Sequence, residues 1–279
     1  MIDFIGIGAQ KSGTSWAYAC LYEHPEICAP VKEIHFFSRP RFEKGREWYE
    51  SHFKNCDASK CRGEFSTSYL YSEKTPQRIK ELYPDIKLIA ILRNPVSRAI
   101  SQYFNAIKAG EIDATISFET YMKDEPSVME QGLYAEQLER YMNVFKKDQI
   151  LVLIYEDIRK DPKAFMRSIY QFLGIAEDFE STMLYKEINV ARAPRAMSLE
   201  RFMHHISEVL RKIGLDGFVH GIRKTGLPDF VRKYNTKKKA EVAIDTNSLK
   251  GYFAKDVERL SVALQRDLLT EWNIYESQT

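Results

Sequence analysis

With 279 residues, 44% of them hydrophobic and 29% charged, the chain has material for one large α/β domain with a sizeable core and does not require a second. A net charge of +2 is too small to mark a nucleic-acid-binding or membrane-surface protein, although it leaves room for a local anion site. No stretch approaches the roughly eighteen apolar residues of a membrane span, and the N-terminus lacks a basic region followed by an apolar signal core, so the expected location is the cytoplasm.

The first element is the short apolar run "DFIGIG" (3–8), a strand ending in glycine. It leads through "GIGAQKSGTSW" (6–16) into a helical stretch with Thr14 and Ser15 as expected N-caps. Gly8 and Gly13 have the spacing of a nucleoside-triphosphate P-loop, but Thr14 stands where that loop has lysine, and Lys11 lies in mid-loop. Such a loop offers backbone N–H groups and the positive end of a helix dipole to an anion, with Lys11, Ser12, Thr14 and Ser15 as further donors. Taken alone, the two glycines read equally well as an ordinary strand-to-helix turn.

Four cysteines follow at 20, 28, 56 and 61, matching no zinc spacing. They read as reduced thiols, with Cys20 on an apolar helix face and a Cys56–Cys61 bridge conceivable only in an oxidising compartment. "RGEFS" (62–66) suggests a short strand, and "IKLIAILR" (86–93) a buried one that Asn94 and Pro95 end by capping the next helix. In that helix Val96, Ile100, Phe104 and Ile107 share a face, and Gly110 is its stop. A further strand, "QILVLIYE" (149–156), lies between amphipathic helices at 133–147 and 161–175. Continuous apolar strands alternating with helices predict an α/β fold with a parallel sheet covered on both faces. Beyond it come the basic "ARAPR" (191–195), a helix over 198–214, the basic "RKYNTKKK" (232–239) and a final amphipathic helix carrying Leu249, Phe253, Val257, Leu260 and Leu264. Residues 1–279 are expected to form one domain, with about 190–245 as a helical lid or acceptor-side insertion.

"GAQKSGTSW" resembles the 5′-phosphosulfate loop of the sulfotransferases that use 3′-phosphoadenosine 5′-phosphosulfate (PAPS), whose fold is P-loop-like. "ILRNPVSRAISQYF" (91–104) resembles their 3′-phosphate motif, and "APVKEIHFFS" (29–38) and "GEFSTSYL" (63–70) resemble the heparan sulfate branch and its bacterial relatives. The likeness runs from residue 3 to about 175, and more faintly to "LLTEW" (268–272).

The resemblance implies PAPS as co-substrate, no metal, and a small-molecule or saccharide acceptor. Lys11 would stabilise the leaving phosphate, where negative charge accumulates. Ser12, Gly13, Thr14, Ser15 and Trp16 would complete the donor loop, and Arg93 and Ser101 would hold the 3′-phosphate. Eight helical residues rise about 12 Å, so the last two converge only if Arg93 leans along the helix. Arg98 is the rival arginine, with a surface salt bridge as its blander reading. Arg192, Arg195 and Lys237 to Lys239 are candidates for a late basic contact, although a charge run is usually a solvated face.

For the acceptor proton the resemblance selects Glu33, with His35 orienting it; the alternative makes His35 the base. An extended backbone would point both to one side. Phe65 stands where the heparan sulfate enzymes have a lysine, which argues against a strongly anionic acceptor. Phe36, Phe37, Tyr69, Tyr71 and Tyr134 are the aromatic candidates for an acceptor pocket. Competing readings are a P-loop kinase or nucleotide hydrolase and a noncatalytic nucleotide-binding module.

Overall fold

The computed structural model describes residues 2–186 and 244–275 together with the backbone of 193–194 and 236–237. The chain divides into two compact units, Met1–Arg98 with Met129–Asn189 and Thr246–Thr279, and Ala99–Val128 with Val190–Asp245.

The first unit is built on five parallel strands, β1 (Phe4–Gly8), β2 (Ile27–Cys28), β3 (Cys61–Phe65), β4 (Lys87–Leu92) and β5 (Ile150–Ile154), in the order β2-β3-β1-β4-β5. Ile5 pairs with Glu64 on one side and Leu88 on the other, and Ile89 pairs with Leu151. From β1 the chain builds outward to β2 and back to β3, then crosses to β4 on the opposite side. The strand order therefore reverses at β1, and the carboxyl ends around such a reversal form the crevice in which open α/β sheets bind ligands.

The helices are α1 (Thr14–Glu23), α2 (Gly45–Glu50), α3 (Thr75–Leu82), α4 (Pro95–Ala109), α5 (Phe118–Asp124), α6 (Ser127–Glu130), α7 (Tyr134–Met142), α8 (Tyr155–Lys160), α9 (Pro162–Leu173), α10 (Thr246–Leu264) and α11 (Leu268–Trp272). Against one face of the sheet, α1 and α9 bury Trp16, Cys20, Leu21, Phe165, Ile169 and Tyr170 with Phe4, Phe65, Ile89 and Ile91. Glu64 alternates with Phe65 along β3 and so points to the other face. There Tyr49 and Tyr83, from α2 and the end of α3, pack on Phe37, and the α7 residue Tyr141 donates to the Tyr69 carbonyl at 2.8 Å. The helix predicted from residue 249 onward is present as α10, burying Leu249, Phe253, Val257 and Leu260. None of the described helices is long and apolar enough to cross a membrane.

In the second unit Ser117 caps α5 by accepting from the Thr120 N–H at 3.1 Å, and the Tyr103 hydroxyl donates to the Ile116 carbonyl at 2.7 Å. Two short antiparallel strands, β6 (Ala193–Pro194) and β7 (Thr236–Lys237), pair within it. The predicted helix over 198–214, Arg192, Arg195, Lys238 and Lys239 lie outside the described residues.

Two local expectations are corrected. The cysteines are not all thiols: Cys28 and Cys56 form a disulfide with Cα atoms 5.8 Å apart, leaving Cys20 and Cys61 free. The one bridge considered from the sequence, Cys56–Cys61, is not formed: the chain after α2 returns Cys56 to the end of β2, whereas Cys61 begins β3. The cap of α1 is Gly13 in left-handed conformation (φ 82°), with no side-chain hydrogen bond; Thr14 and Ser15 are already helical.

Candidate active site

Residues 8–15 leave the carboxyl end of β1 and turn into α1. Their shape depends on left-handed backbone at Lys11 (φ 67°) and Gly13. A Cβ at Gly13 would come within 2.7 Å of the Tyr155 ring, so glycine is required there by contact as well as by dihedral. Because no side chain caps α1, the Thr14 and Ser15 N–H groups at its start are left to an anion. Ser12 is fully buried, yet among the described residues its hydroxyl has no hydrogen-bond partner of good geometry, and neither has the nearby Tyr134 hydroxyl. The Ser12 hydroxyl is close enough to act on the Tyr134 phenol, which it pulls down. An unsatisfied buried hydroxyl costs about 1–3 kcal/mol, so the loop has a built-in demand for another polar group. Burial pushes the Tyr134 phenol up to about 12, against the pull of the neighbouring Arg98 charge.

Arg93 closes the loop from the end of β4. It donates to the Lys11 carbonyl at 3.1 Å, its guanidinium lies 4.7 Å over the Tyr155 ring, and its buried Nε has no partner among the described residues. The following turn is tied down: the Asn94 N–H donates to Glu156 at 3.1 Å, Glu156 also accepts from the Trp272 indole at 3.1 Å, and the Asn94 amide donates to the Trp272 carbonyl at 2.8 Å. The predicted cap at Asn94 is present, with the Ser97 N–H at 3.0 Å from its side-chain oxygen. Arg98 is fully buried rather than a surface partner, because the first turn of α4 runs into the core. Ser101 lies two turns along α4, in the second unit. Trp16 belongs to the core: its indole N–H goes to the Met183 carbonyl at 3.1 Å and its backbone N–H to Gly13 at 2.9 Å, so neither is free for a ligand.

The second loop, Ala29–Ser38, follows the disulfide-bonded Cys28. Its backbone is not extended as expected. Glu33 (φ 62°) and His35 (φ 54°) are both left-handed, because the chain bends to give its N–H groups to the end of β3. The Glu33 N–H donates to the Phe65 carbonyl at 2.8 Å, the His35 N–H to the Ser66 hydroxyl at 2.9 Å and the Phe36 N–H to the Tyr69 hydroxyl at 2.8 Å. The two side chains still converge, with His35 Nε2 3.0 Å from Glu33 Oε2. Lys32 Nζ is 2.6 Å from the other carboxylate oxygen, and the Thr67 N–H donates to Glu33 at 3.1 Å. Burial opposes ionisation of Glu33, but the His35 hydrogen bond and the Lys32 charge outweigh it and hold the carboxyl at about 2. His35 Nδ1 lies 2.6 Å from the Ser68 hydroxyl, so both ring nitrogens are engaged.

Thr67 links the loops. A Cβ on Gly8, where the phosphate-type loop begins, would lie 3.3 Å from the Thr67 carbonyl, and Thr67 itself holds Glu33. Lys11, Ser12 and Arg93 thus belong to one arm and Glu33 and His35 to the other, both at the carboxyl edge beside the reversal at β1. Sequence reading missed the run Ser66, Thr67 and Ser68 as site residues; three consecutive hydroxyls at the carboxyl end of a buried strand were the available signal. Four of the five aromatic pocket candidates, Phe36, Phe37, Tyr69 and Tyr134, are core residues, since their neighbours at the sheet face leave no opening. Tyr71 is half-buried and bonds to Glu130.

Residues 2–215 match the family described as "Sulfotransferase domain". The chain belongs to that family. Its sulfotransferase relatives include the Mus musculus bifunctional heparan sulfate N-deacetylase/N-sulfotransferase 4, 30% identical over 197 residues that cover 63% of this chain and 22% of the relative. Another is the Mus musculus heparan sulfate glucosamine 3-O-sulfotransferase 3B1, 32% identical over 176 residues, 61% of this chain and 45% of the relative. The chain therefore spans less than half the length of either. The crystal structure of a sulfotransferase from Alicyclobacillus acidocaldarius superposes with a TM-score of 0.70 at 26% identity, covering 98% of this chain and 99% of that one. The P-loop-like parallel sheet and the sulfotransferase resemblance read from the motifs are both upheld by these matches.

Proposed function

We propose that this sulfotransferase-family protein transfers the sulfuryl group of PAPS to a hydroxyl, or an amine, of a small metabolite or saccharide. The observation that carries the reading is the adjacency of two unlike arms at the β1 reversal: a helix start with no side-chain cap and a Ser12 hydroxyl unpaired among the described residues, and a Glu33–His35 pair joined to it through Thr67. The donor supplies an activated sulfuryl group on a phosphate leaving group. Ser12, Gly13, Thr14 and Ser15 would grip that phosphate, Lys11 would neutralise the charge that builds on it, and Arg93 would take the 3′-phosphate by forked hydrogen bonding. Arg93 already braces the Lys11 carbonyl, so it couples the grip on the nucleotide to the loop that holds the leaving group.

Glu33 receives the acceptor proton. A carboxylate held at about 2 is a weak base toward a resting alcohol. It suffices when the proton leaves late, because an oxygen already bonding to sulfur is strongly acidic. His35, fixed between Ser68 and Glu33, orients the carboxylate, and Lys32 balances its charge. Phe65, in place of a cation, is fully buried against Phe4 and Tyr18, so this position offers no charge to an acceptor.

Thermal unfolding with adenosine 3′,5′-bisphosphate, and separately with magnesium ATP, tests the donor. A ligand at a hundred times its dissociation constant adds about 2.7 kcal/mol. Stabilisation by the bisphosphate without metal is the expected result; preference for magnesium ATP would favour a kinase or hydrolase instead. With an acceptor panel, Glu33→Gln should lose about 10²–10⁴ in kcat while keeping the bisphosphate response. Full kcat in that variant would remove Glu33 from the role.

A further inference from the structure

Beneath the acceptor-side loop is a fully buried carboxyl group that the proposed reaction does not use, that of Glu64. Its Oε2 lies 2.7 Å from the Ser66 hydroxyl, and its Oε1 lies 2.7 Å from the Tyr69 hydroxyl and 3.5 Å from that of Tyr49. The direction of these bonds is set from the other side. Ser66 and Tyr69 each accept from a backbone N–H, those of His35 and Phe36, and an N–H can only donate. Both hydroxyl protons are then free to go to Glu64, which accepts on both oxygens as a carboxylate does.

We propose that Glu64 is the positioning residue of the acceptor-side loop: acting through the Ser66 and Tyr69 hydroxyls, its carboxylate holds the His35 and Phe36 N–H groups and so sets where the Glu33 carboxylate stands. The loop needs such a hold, because left-handed backbone at Glu33 and His35 costs about 1–2 kcal/mol per residue. Each relay spends one hydroxyl on one otherwise unpaired N–H. Only a group that accepts at both ends of its fork can serve the two relays together.

The ionisable groups against Glu64 are Tyr49 from α2, Tyr69 and, across the loop, Glu33, while Tyr18 acts on it from the α1 side of the sheet and Arg41 is bound to the Ile34 carbonyl of the same loop. Among the described residues no cation forms an ion pair with it. Burial raises the Glu64 carboxyl to about 7, the Ser66 and Tyr69 hydrogen bonds oppose that rise, the Glu33 charge adds to it, and the Ile34 N–H favours the charged form. A proton on Glu64 weakens it as an acceptor and sets a donor against hydroxyls that already donate. The relays then slacken while Glu33, ionised down to about 2, is still charged. The acid limb of activity accordingly belongs to Glu64, not to the base.

The proposal rests on the sulfuryl-transfer reading, and the two can fail separately. The variants are Glu64→Gln, which keeps the shape but turns one acceptor into a donor, and Ser66→Ala, which cuts one relay and serves if the buried Gln impairs folding. Displacement of a catalytic group by about 1 Å costs on the order of 100-fold in rate, and that loss of kcat is expected in each variant, with bisphosphate stabilisation unchanged. The double variant should be no slower than the worse single one, because both cut the same connection. The unaltered protein should lose kcat as pH falls through about 7, and Glu64→Gln should lack that limb. Independently of turnover, the Phe36 amide proton signal should shift with pH over the same range and become pH-independent in Glu64→Gln. Folded Glu64→Gln with full kcat, an acid limb that stays in place, or a Phe36 signal with the same pH dependence in both proteins would overturn the assignment. If the unaltered protein neither responds to bisphosphate nor transfers sulfuryl groups, the functional reading falls, and the Phe36 signal alone decides the role of Glu64.

Discussion

The loops at residues 8–15 and 29–38 both place non-glycine residues in left-handed backbone, Lys11 in the first and Glu33 and His35 in the second, but they are held by different means. The first is bounded directly by β1 and α1, turns on Gly13 and is braced at the Lys11 carbonyl by Arg93. The second follows the very short β2 and is tied through Ser66, Tyr69 and Glu64 to the end of β3, with a disulfide at Cys28. An anion grip can be made from main-chain N–H groups and tolerates side-chain change. A base must be aimed, and aiming requires a shell of side chains that each have to be correct. Substitutions should therefore separate chemistry from stability at the first loop and couple them at the second.

The largest separation is expected at Lys11. Lys11→Ala removes charge opposite the leaving group and should lower kcat by about 10²–10³, or roughly 3–4 kcal/mol, a larger effect than on the melting temperature without ligand. Single-turnover rates and a thermal scan check both halves. A marked drop in melting temperature would show that the lysine side chain also holds the loop.

At the second loop the disulfide should matter most for stability. The bridge spans a separation of 28 residues, for which loop-closure entropy gives about 3–4 kcal/mol. Cys56→Ser, or reduction of the unaltered protein, should lower the melting temperature by several degrees and impair turnover, with the bisphosphate response preserved. If stability fell and turnover per folded molecule did not, the bridge would be a staple of α2 alone.

The two carboxyl groups at this loop should leave opposite marks on stability against pH. Glu33 has a folded value of about 2, below the ordinary 4.5, so it stabilises the protein above pH 4.5 and loses that contribution as pH falls toward 2. Glu64 has a folded value of about 7, above the ordinary 4.5; between these values the folded state holds the extra proton, and stability falls as pH rises. Melting curves of Glu33→Gln should lose the acid-side slope, and those of Glu64→Gln should flatten between about pH 4.5 and 7. Parallel curves for the two variants would contradict the contrast.

What could be read in advance follows the same division. The buried strands 4–8 and 87–92, the Asn94 cap and the α10 face at Leu249, Phe253, Val257 and Leu260 are local patterns, and they stand as expected. The phosphate-type loop was legible because its glycines and Lys11 are contiguous. The hold on Glu33 was not, because it joins residue 33 to 67, 35 to 66 and 68, and 36 to 69, pairs that approach only once β3 lies beside β2. The Cys28–Cys56 pairing was hidden for the same reason. Phe36, Phe37, Tyr69 and Tyr134 looked like pocket aromatics because composition does not tell which face of a chain is covered.

The smallest effect separates ligand demand from fold demand within the first loop. Among the described residues the buried Ser12 hydroxyl has no well-formed hydrogen bond, so the protein without ligand gains little from it. Ser12→Ala should leave the melting temperature unchanged or slightly raised, since the variant no longer buries an unpaired polar group. With adenosine 3′,5′-bisphosphate the order should reverse: the variant should show a stabilisation smaller by about 1 kcal/mol, one hydrogen bond's net worth. That crossover distinguishes a hydroxyl kept for a ligand from one kept for packing. A Ser12→Ala protein less stable without ligand, and equally responsive to the bisphosphate, would place the hydroxyl's partner inside the protein, with Tyr134 as the nearest candidate.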